Sequence, residues 1–535
     1  MSQNARTDEE VSTQRRAHLL NLNYVDTSQI VDKQLHKELL GLDEMYSLRV
    51  IPLRVEKSNI LFGITTVTSQ QTMRALEQRF ADSRVSFAII SDNGYHDYMK
   101  LYDPPKQIVY QDISFAGGQD DTDNLQKTIS ATLEQVRADD MLAYLVQQAH
   151  RLKASDIHLE SQKDAVRIRF RVDGVLHVIA HLQKAKYRQL VSVIAISADV
   201  STGSDEAQAG HINGDFTLAT GESVTVNLRV ETVNSVHGMD VVMRLFNLEM
   251  ELLDLEKLNL SERERVVVDD IITHPTGMVL VVGPTGSGKT TTMYSLINTL
   301  NTEERKIITL EDPVEYFLEG IVQVPVHGDK DITGFADKLR ALLRLDPDII
   351  MVGEIRDQDT AKTSLQAALT GHLVMSTFHA SSAAAALTRM IDFIGMNPLF
   401  ASAIHLIMAQ RLVRKLDDAT KQPYQADDAT REHIQAVINS FPPGVDRPDI
   451  SNLTLYNPGT SNENPFGYVG QIPLREQLQM TPGVRELLRQ SANKITTDVL
   501  QDRAVEDGML TMLQDGILKV VNGETTLDEV YRVVG

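Results

Sequence analysis

MVLVVGPTGSGKTTTMYSLINTL, running from Met278 to Leu300, decides how this chain must fold. Met278 to Val282 is a short apolar run and reads as a buried strand. Gly283, Gly288, Lys289 and Thr290 follow at the spacing G-x-x-x-x-G-K-[ST]. From Thr291 to Leu300, the residues Met293, Leu296, Ile297 and Leu300 recur at helical spacing. Strand, glycine loop and helix in that order are the context a phosphate-binding P-loop requires. Glycines let backbone N–H groups turn inward around a phosphate, and the helix N-terminus adds partial positive charge there. Pro284, Thr285, Gly286, Ser287, Gly288, Lys289, Thr290 and Thr291 are therefore the expected nucleotide-binding residues. Lys289 would reach the β- and γ-phosphates, and the Thr290 hydroxyl would hold Mg²⁺.

Such a loop needs acidic residues at neighbouring strand ends, for a metal ion and a water. After the strand Lys306–Leu310 comes Glu311-Asp312-Pro313-Val314-Glu315, and after Asp348–Val352 comes Gly353-Glu354. In a parallel sheet both groups fall at the carboxyl edge, beside the loop. Glu315 and Glu354 are the acids expected to serve the nucleotide. Arg340 and Arg344 stand four apart on an expected helix Phe335–Leu345, either as phosphate ligands or as a surface pair. His372 and His379 bracket a strand and point to opposite faces, which excludes a shared metal. They read either as sensors of the γ-phosphate or a neighbouring subunit, or as histidines satisfied by backbone groups.

At 535 residues the chain exceeds one ordinary core, and two to four domains are expected. Its apolar runs are far shorter than a membrane span, and its polar start is no signal peptide, so a soluble or peripheral protein is expected. With no cysteine, disulfides and thiolate metal sites are excluded. A formal net charge of −21 argues against a nucleic-acid grip, which usually shows a basic footprint.

Residues 1–103 carry strand signals at Arg49–Val55, Ile60–Thr65 and Val85–Ile90 and a helix at Gln70–Phe80, a small α+β or βαβ unit without a chemical motif. Residues 104–125 are polar and rich in turn formers, as a linker would be. Residues 126–247 open with one long helical pattern, Leu125 to Leu152, and continue as strands. Val166, Ile168, Phe170 and Val172 alternate there with Arg167, Arg169 and Arg171. Asp173-Gly174 and Asn213-Gly214 read as hairpin turns. A half-buried antiparallel sheet with an arginine-bearing face is predicted, most of it solvated. Residues 248–261 connect to an α/β region, 262–535, where strands and helices alternate as in a mainly parallel sheet. A loop-rich inserted lobe at about 415–475 and closing helices complete it.

GPTGSGKTT at Gly283–Thr291, ITLEDPVEY at Ile308–Tyr316, LRLDPDIIMVGEIRD at Leu343–Asp357 and TGHLVMSTFHA at Thr370–Ala380 resemble the secretion-type ATPases of type IV pilus assembly and type II secretion. The family terms these segments Walker A, Asp box, Walker B and His box. ASDIHLE at Ala154–Glu160, RIRFRVDGVLH at Arg167–His177 and the closing Gly508–Val534 also resemble this family. The resemblance implies a RecA-like domain for 262–535, a PAS-like domain for 126–247 and a docking or regulatory role for 1–103. It implies that Glu315 activates water, that Glu354 completes the Mg²⁺ site, and that His372 and His379 sense nucleotide state. Arg229, Arg340 and Arg344 match family arginines that approach the phosphates. ATP and Mg²⁺ are the implied cofactors. The implied partners are five further copies in a homohexamer, an inner-membrane platform protein, cytoplasmic linker proteins and, indirectly, pilins, with no nucleic acid. The implied location is cytoplasmic, peripheral on the inner membrane.

Two departures stand out. Where many relatives carry an arginine-containing PQDGR segment, this chain has AQAGH at Ala207–His211. Where many carry two C-x-x-C pairs for zinc, it has Asp417 with Thr420 and Thr460 with Glu463, a poor donor set that predicts a zinc-free lobe. Rival readings are a nucleic-acid translocase, a pilus retraction motor, whose members lack a large first domain, and a nucleotide-binding scaffold without turnover.

Overall fold

The computed structural model describes residues 3–20, 22–30, 33–56, 59–102, 121–136, 138–204, 206–217, 223–246, 254–326, 334–395, 400–461, 464–489 and 495–535. The chain divides into two compact units, Met1–Gln111 and Asp112–Gly535. Most of the expected linker 104–125 lies outside the described residues, and its last residues open the helix Asp121–Gln135.

The first unit has a four-stranded sheet in the order Asn23–Tyr24, Arg84–Ile89, Asn59–Ile64, Val50–Glu56. Asn59–Ile64, the helix Gln70–Arg79 and Arg84–Ile89 form a parallel crossover, and Val50–Glu56 pairs antiparallel. Ser69 starts the crossover helix by accepting the Thr72 N–H, and Leu76 is the residue that helix buries. Buried Phe62, Tyr95 and Tyr102 fill the core. The two tyrosine hydroxyls donate to the Met45 and Pro52 carbonyls, so their burial strands no polar atom.

The second unit opens with two helices, Asp121–Gln135 and Ala138–Arg151, where the sequence suggested one. The apolar stripe of Leu125, Ile129, Leu133 and Val136 jumps by about half a turn to that of Met141, Leu142, Leu145 and Val146, and neither Gly nor Pro marks the break. A six-stranded antiparallel sheet follows, in the order Val175–Leu182, Val166–Val172, Ala154–Ser161, Gly238–Phe246, Ser223–Ser235, Gln208–Thr217. Asp173-Gly174 is a hairpin turn with both residues at positive φ. Asn213-Gly214 is not a turn. It lies inside the strand Gln208–Thr217, with Asn213 opposite Asn227 and Gly214 opposite Val226. Ladder pairing on both sides of the dipeptide overrides its local preference.

The arginine face of this sheet is ion-paired rather than simply solvated. Arg167 and Arg169 converge on Glu160, and Arg171 and Arg244 on the nearly buried Asp156.

The second sheet of this unit has seven strands, in the order Val322–Pro325, Ile307–Glu311, Ile349–Val352, Leu373–Phe378, Gly277–Val282, Ile404–Leu416, Tyr468–Gln479. All neighbours are parallel except the last pair. Gly277–Val282 is buried along its whole length. Val279 and Val281 pack with Met293 and Ile297 on one face, and Met278, Leu280 and Val282 with Leu365 and Leu387 on the other. A continuous apolar run is what a strand covered on both faces demands. The fold is therefore α/β, with the parallel order the sequence implied.

In the lobe, Gln422–Gln425 pairs with Thr454–Asn457 beside the helix Asp428–Asn439. Of the positions where the family's cysteine pairs would fall, Asp417 is tied by hydrogen bonds, and the Thr420 hydroxyl is buried without a partner. Asn464 Nδ2 donates to Asp417 Oδ2 at 2.9 Å, and Asn464 Oδ1 accepts the N–H groups of Phe466 and Gly467. Asp417 Oδ1 accepts the Ala419 N–H. Glu463 lies outside the described residues.

Candidate functional site: a phosphate loop facing two acids

The P-loop closes the carboxyl end of Gly277–Val282 and starts the helix Lys289–Leu300. Gly288 is the residue before that helix, at φ +80°, and a side chain there would strike Gln410. The positive φ favours glycine there, and any Cβ would also have to displace the Gln410 amide. Thr285, Gly286, Gly288, Lys289, Thr290 and Thr291 line a cleft of about 590 Å³. Pro284 is exposed on the loop, and Ser287 turns inward and is buried.

Lys289 Nζ donates to the Gly283 and Pro284 carbonyls at 3.0 and 2.8 Å. Burial lowers its pKa, against the pull of Glu354. A half-buried ammonium resting on carbonyls of its own loop suits phosphate oxygens, which would give it charged partners. The buried Ser287 hydroxyl has no hydrogen-bond partner.

Across the cleft stand Glu315 and Glu354. Glu315 reaches solvent at the mouth, yet the surrounding walls displace enough water to raise its pKa. Arg244 and Arg229 oppose that rise, and Glu311 adds to it. Glu354 accepts from Arg356 Nε at 2.8 Å and faces His379 Nε2 at 2.9 Å. Arg356 also lies 3.3 Å from Asp312. Glu311 is a structural acid, buried and accepting from Tyr294 Oη, Thr309 Oγ1 and Gln323 Nε2.

The remaining expected residues are dispersed. His379 lines the cleft, whereas His372 stands before the first residue of the same strand, at the opposite sheet edge. There its Nδ1 lies 3.0 Å from the Ala367 carbonyl. Arg340 closes on Asp337 at 2.5 Å. The helix carrying it ends at Leu342, so Arg344 falls in a following 3₁₀ turn rather than one helical turn on. Neither arginine is among the residues lining the cleft. Arg229 pairs with Glu231 at 2.9 Å and lies opposite His211 of the AQAGH segment.

The profile of the family described as "Type II/IV secretion system protein" matches residues 133–532. The chain belongs to this family. It is 36% identical over 464 residues to the type II secretion system protein E of Pseudomonas aeruginosa, covering 85% of this chain and 88% of that one. It is 35% identical over 419 residues to the type IV pilus assembly ATPase PilB of Myxococcus xanthus, covering 77% and 70% respectively. The fold is similar to the X-ray structure of the Legionella pneumophila ATPase DotB. That match has a TM-score of 0.53 at 22% identity and covers 74% of this chain and 95% of that one.

Two cleft residues of this secretion-family chain escaped the sequence reading. Arg244 reaches the cleft from the antiparallel sheet, together with Ser155 and Leu245. Its one signal was an arginine between Met243 and Leu245 on a strand whose partner, ASDIHLE, was already singled out. Arg356 follows Glu354 by two positions inside the Walker B segment and was overlooked.

Proposed function

We propose that this chain is an ATP hydrolase, working as a homohexameric motor for type II-like secretion or type IV pilus assembly. The observation that carries it is one cleft joining Lys289, Thr290, Glu315 and Glu354, with Arg244 entering from the other sheet. Lys289 and the loop amides would hold the phosphates, and Thr290 and Glu354 would hold Mg²⁺, which neutralises developing charge when bound. Glu315 would take the proton of the attacking water as its oxygen bonds to the γ-phosphorus and the bond from that phosphorus to the bridging oxygen breaks, with ADP leaving. Its raised pKa suits that step, because a base works best near ambient pH. Arg229 supports this from behind Arg244. His379 holds Glu354 and would report the state of the γ-phosphate side. Arg340, Arg344 and His372 are not among the residues lining this cleft.

Residues 262–535 form the RecA-like motor, 126–247 the PAS-like domain that moves against it about 248–261, and 1–103 the docking unit. An inner-membrane platform protein and linker proteins would receive the motion, and pilins would move in consequence. Among the described residues no helix is long and apolar enough to cross a membrane, in keeping with a peripheral attachment. Phosphate release by the purified protein tests the reading. Turnover per chain should rise with concentration as hexamers form, and constant specific activity across the dissociation range would overturn the assembly requirement. A nucleic-acid translocase would instead show turnover stimulated by DNA.

A further inference from the structure

Behind the P-loop lies a buried polar chain that the phosphate chemistry does not use. Gln410, 2% exposed on Ile404–Leu416, donates through Nε2 to the Ser287 carbonyl at 2.6 Å. Its Oε1 accepts from Thr292 Oγ1 at 3.0 Å, in the first turn of the P-loop helix. The same Oε1 accepts from Arg475 Nε at 3.4 Å. Arg475 is the cross-strand partner of Gln410, and its side chain is 1% exposed. Its two terminal nitrogens donate to the Leu258 and Asn259 carbonyls, the latter at 3.1 Å. Those carbonyls belong to the 3₁₀ turn Leu255–Leu258 and its left-handed cap Asn259, inside the segment that joins the antiparallel sheet to the parallel one. Glu264 at 3.6 Å adds charge balance.

We infer that Gln410 and Arg475 are positioning residues that couple the phosphate loop to the interdomain segment. Four buried groups in series leave little slack. A shift of the Ser287 carbonyl or of Thr292 when phosphate binds must be taken up at Gln410, and Arg475 passes it to Leu258 and Asn259. Buried polar networks tolerate few arrangements, because an unmade bond there is costly. The chain thus has a direct route from nucleotide to domain angle, separate from the cleft contact of Arg244. This rests on the ATP reading above.

Hydrogen–deuterium exchange of the full-length protein, with and without a non-hydrolysable ATP analogue, tests the coupling. In the wild type, saturating analogue should change exchange across residues 254–261. Gln410→Leu keeps volume but breaks both arms. It should weaken analogue affinity by about 2–10-fold, the worth of one or two neutral hydrogen bonds. At saturation it should lose the change at 254–261 while the strand 278–282 stays protected. Arg475→Lys keeps the charge facing Glu264 but cannot span Gln410 and both carbonyls. It should bind the analogue with near-wild-type affinity and also lose the change. An undiminished change in Gln410→Leu, or no change in an analogue-bound wild type, overturns the coupling. A wild type that does not bind the analogue overturns the ATP reading itself.

Discussion

The seven-stranded sheet has two edges built from the same strands and from similar residue types, and they do opposite things. At its carboxyl edge Lys289 and Glu315 line an open cleft with Glu354, which is itself held by Arg356 and His379. At its amino edge polar side chains close on the backbone. His372 meets the Ala367 carbonyl, His405 Nε2 lies 2.8 Å from the Thr276 carbonyl, and the His274 ring stacks on His405 at 4.6 Å. Asp348 accepts the Lys306 N–H there at 2.7 Å. A histidine at one end of Leu373–Phe378 pairs with Glu354 in the cleft, and a histidine at the other end closes a turn. Strand direction decides which, because loops at the carboxyl ends of parallel strands diverge and leave a crevice.

The largest effect should come from the acid whose surroundings raise its pKa. Glu315→Gln keeps shape but removes basicity, and turnover should fall roughly 10²–10⁴-fold, the usual worth of a positioned base. ATP affinity should persist, as measured by equilibrium binding. Wild-type turnover would remove Glu315 from the role, and buried Glu311 could not replace it without leaving its three donors.

A second, pH-dependent effect sharpens the same edge. Glu315 acts as a carboxylate, so turnover should fall as pH drops through its raised pKa. Arg244 holds that pKa down, and Arg244→Gln removes the positive charge. The acid limb of kcat should therefore move to higher pH. A limb that stays in place would mean that Arg244 does not act on Glu315.

The two histidines give the plainest contrast between edges. His379→Ala should lower turnover about tenfold, near the value of one hydrogen bond to a charged group. His372→Ala should lower thermal stability and leave single-chain nucleotide binding unchanged. Equal losses in binding would abolish the distinction between the edges.

The smallest effect concerns the hairpin of the antiparallel sheet. Asp173 Oδ2 accepts the Gly470 N–H at 3.1 Å, and the His177 ring lies 3.9 Å from that of Phe466. Burial lowers the His177 pKa to about 4. A histidine with a depressed folded pKa favours the folded contact fully above its unfolded value of about 6.5, and that contribution is lost as pH falls toward 4. Exchange of the 173–177 amides should rise over that window, and His177→Phe should remove the dependence.

Much of this was legible in the chain. The P-loop stretch is local in sequence, and its strand, turn and helix follow from spacing alone. The neighbouring acids were found because parallel topology sends consecutive strand ends to one edge. What stayed hidden depends on pairing between distant segments. Arg244 enters the cleft through its ladder with Ala154–Ser161, and Asn213-Gly214 is drawn into a strand by residues 223–235. The helix break near residue 137 carries no Gly or Pro, and its one mark in the sequence is the jump of the apolar stripe to the opposite face after Val136. Glu311 and Glu315 look alike in sequence. They separate once Tyr294, Thr309 and Gln323 are seen to enclose the first and leave the second at the cleft mouth.

The central claim is that nucleotide binds at the carboxyl edge, on Lys289. Equilibrium titration of Lys289→Ala with a fluorescent ATP analogue, beside the wild type and His372→Ala, tests it most directly. The account predicts affinity weakened by about 10–100-fold in Lys289→Ala, the scale of hydrogen bonds to a charged group, and unchanged in His372→Ala. Wild-type affinity in Lys289→Ala would contradict it.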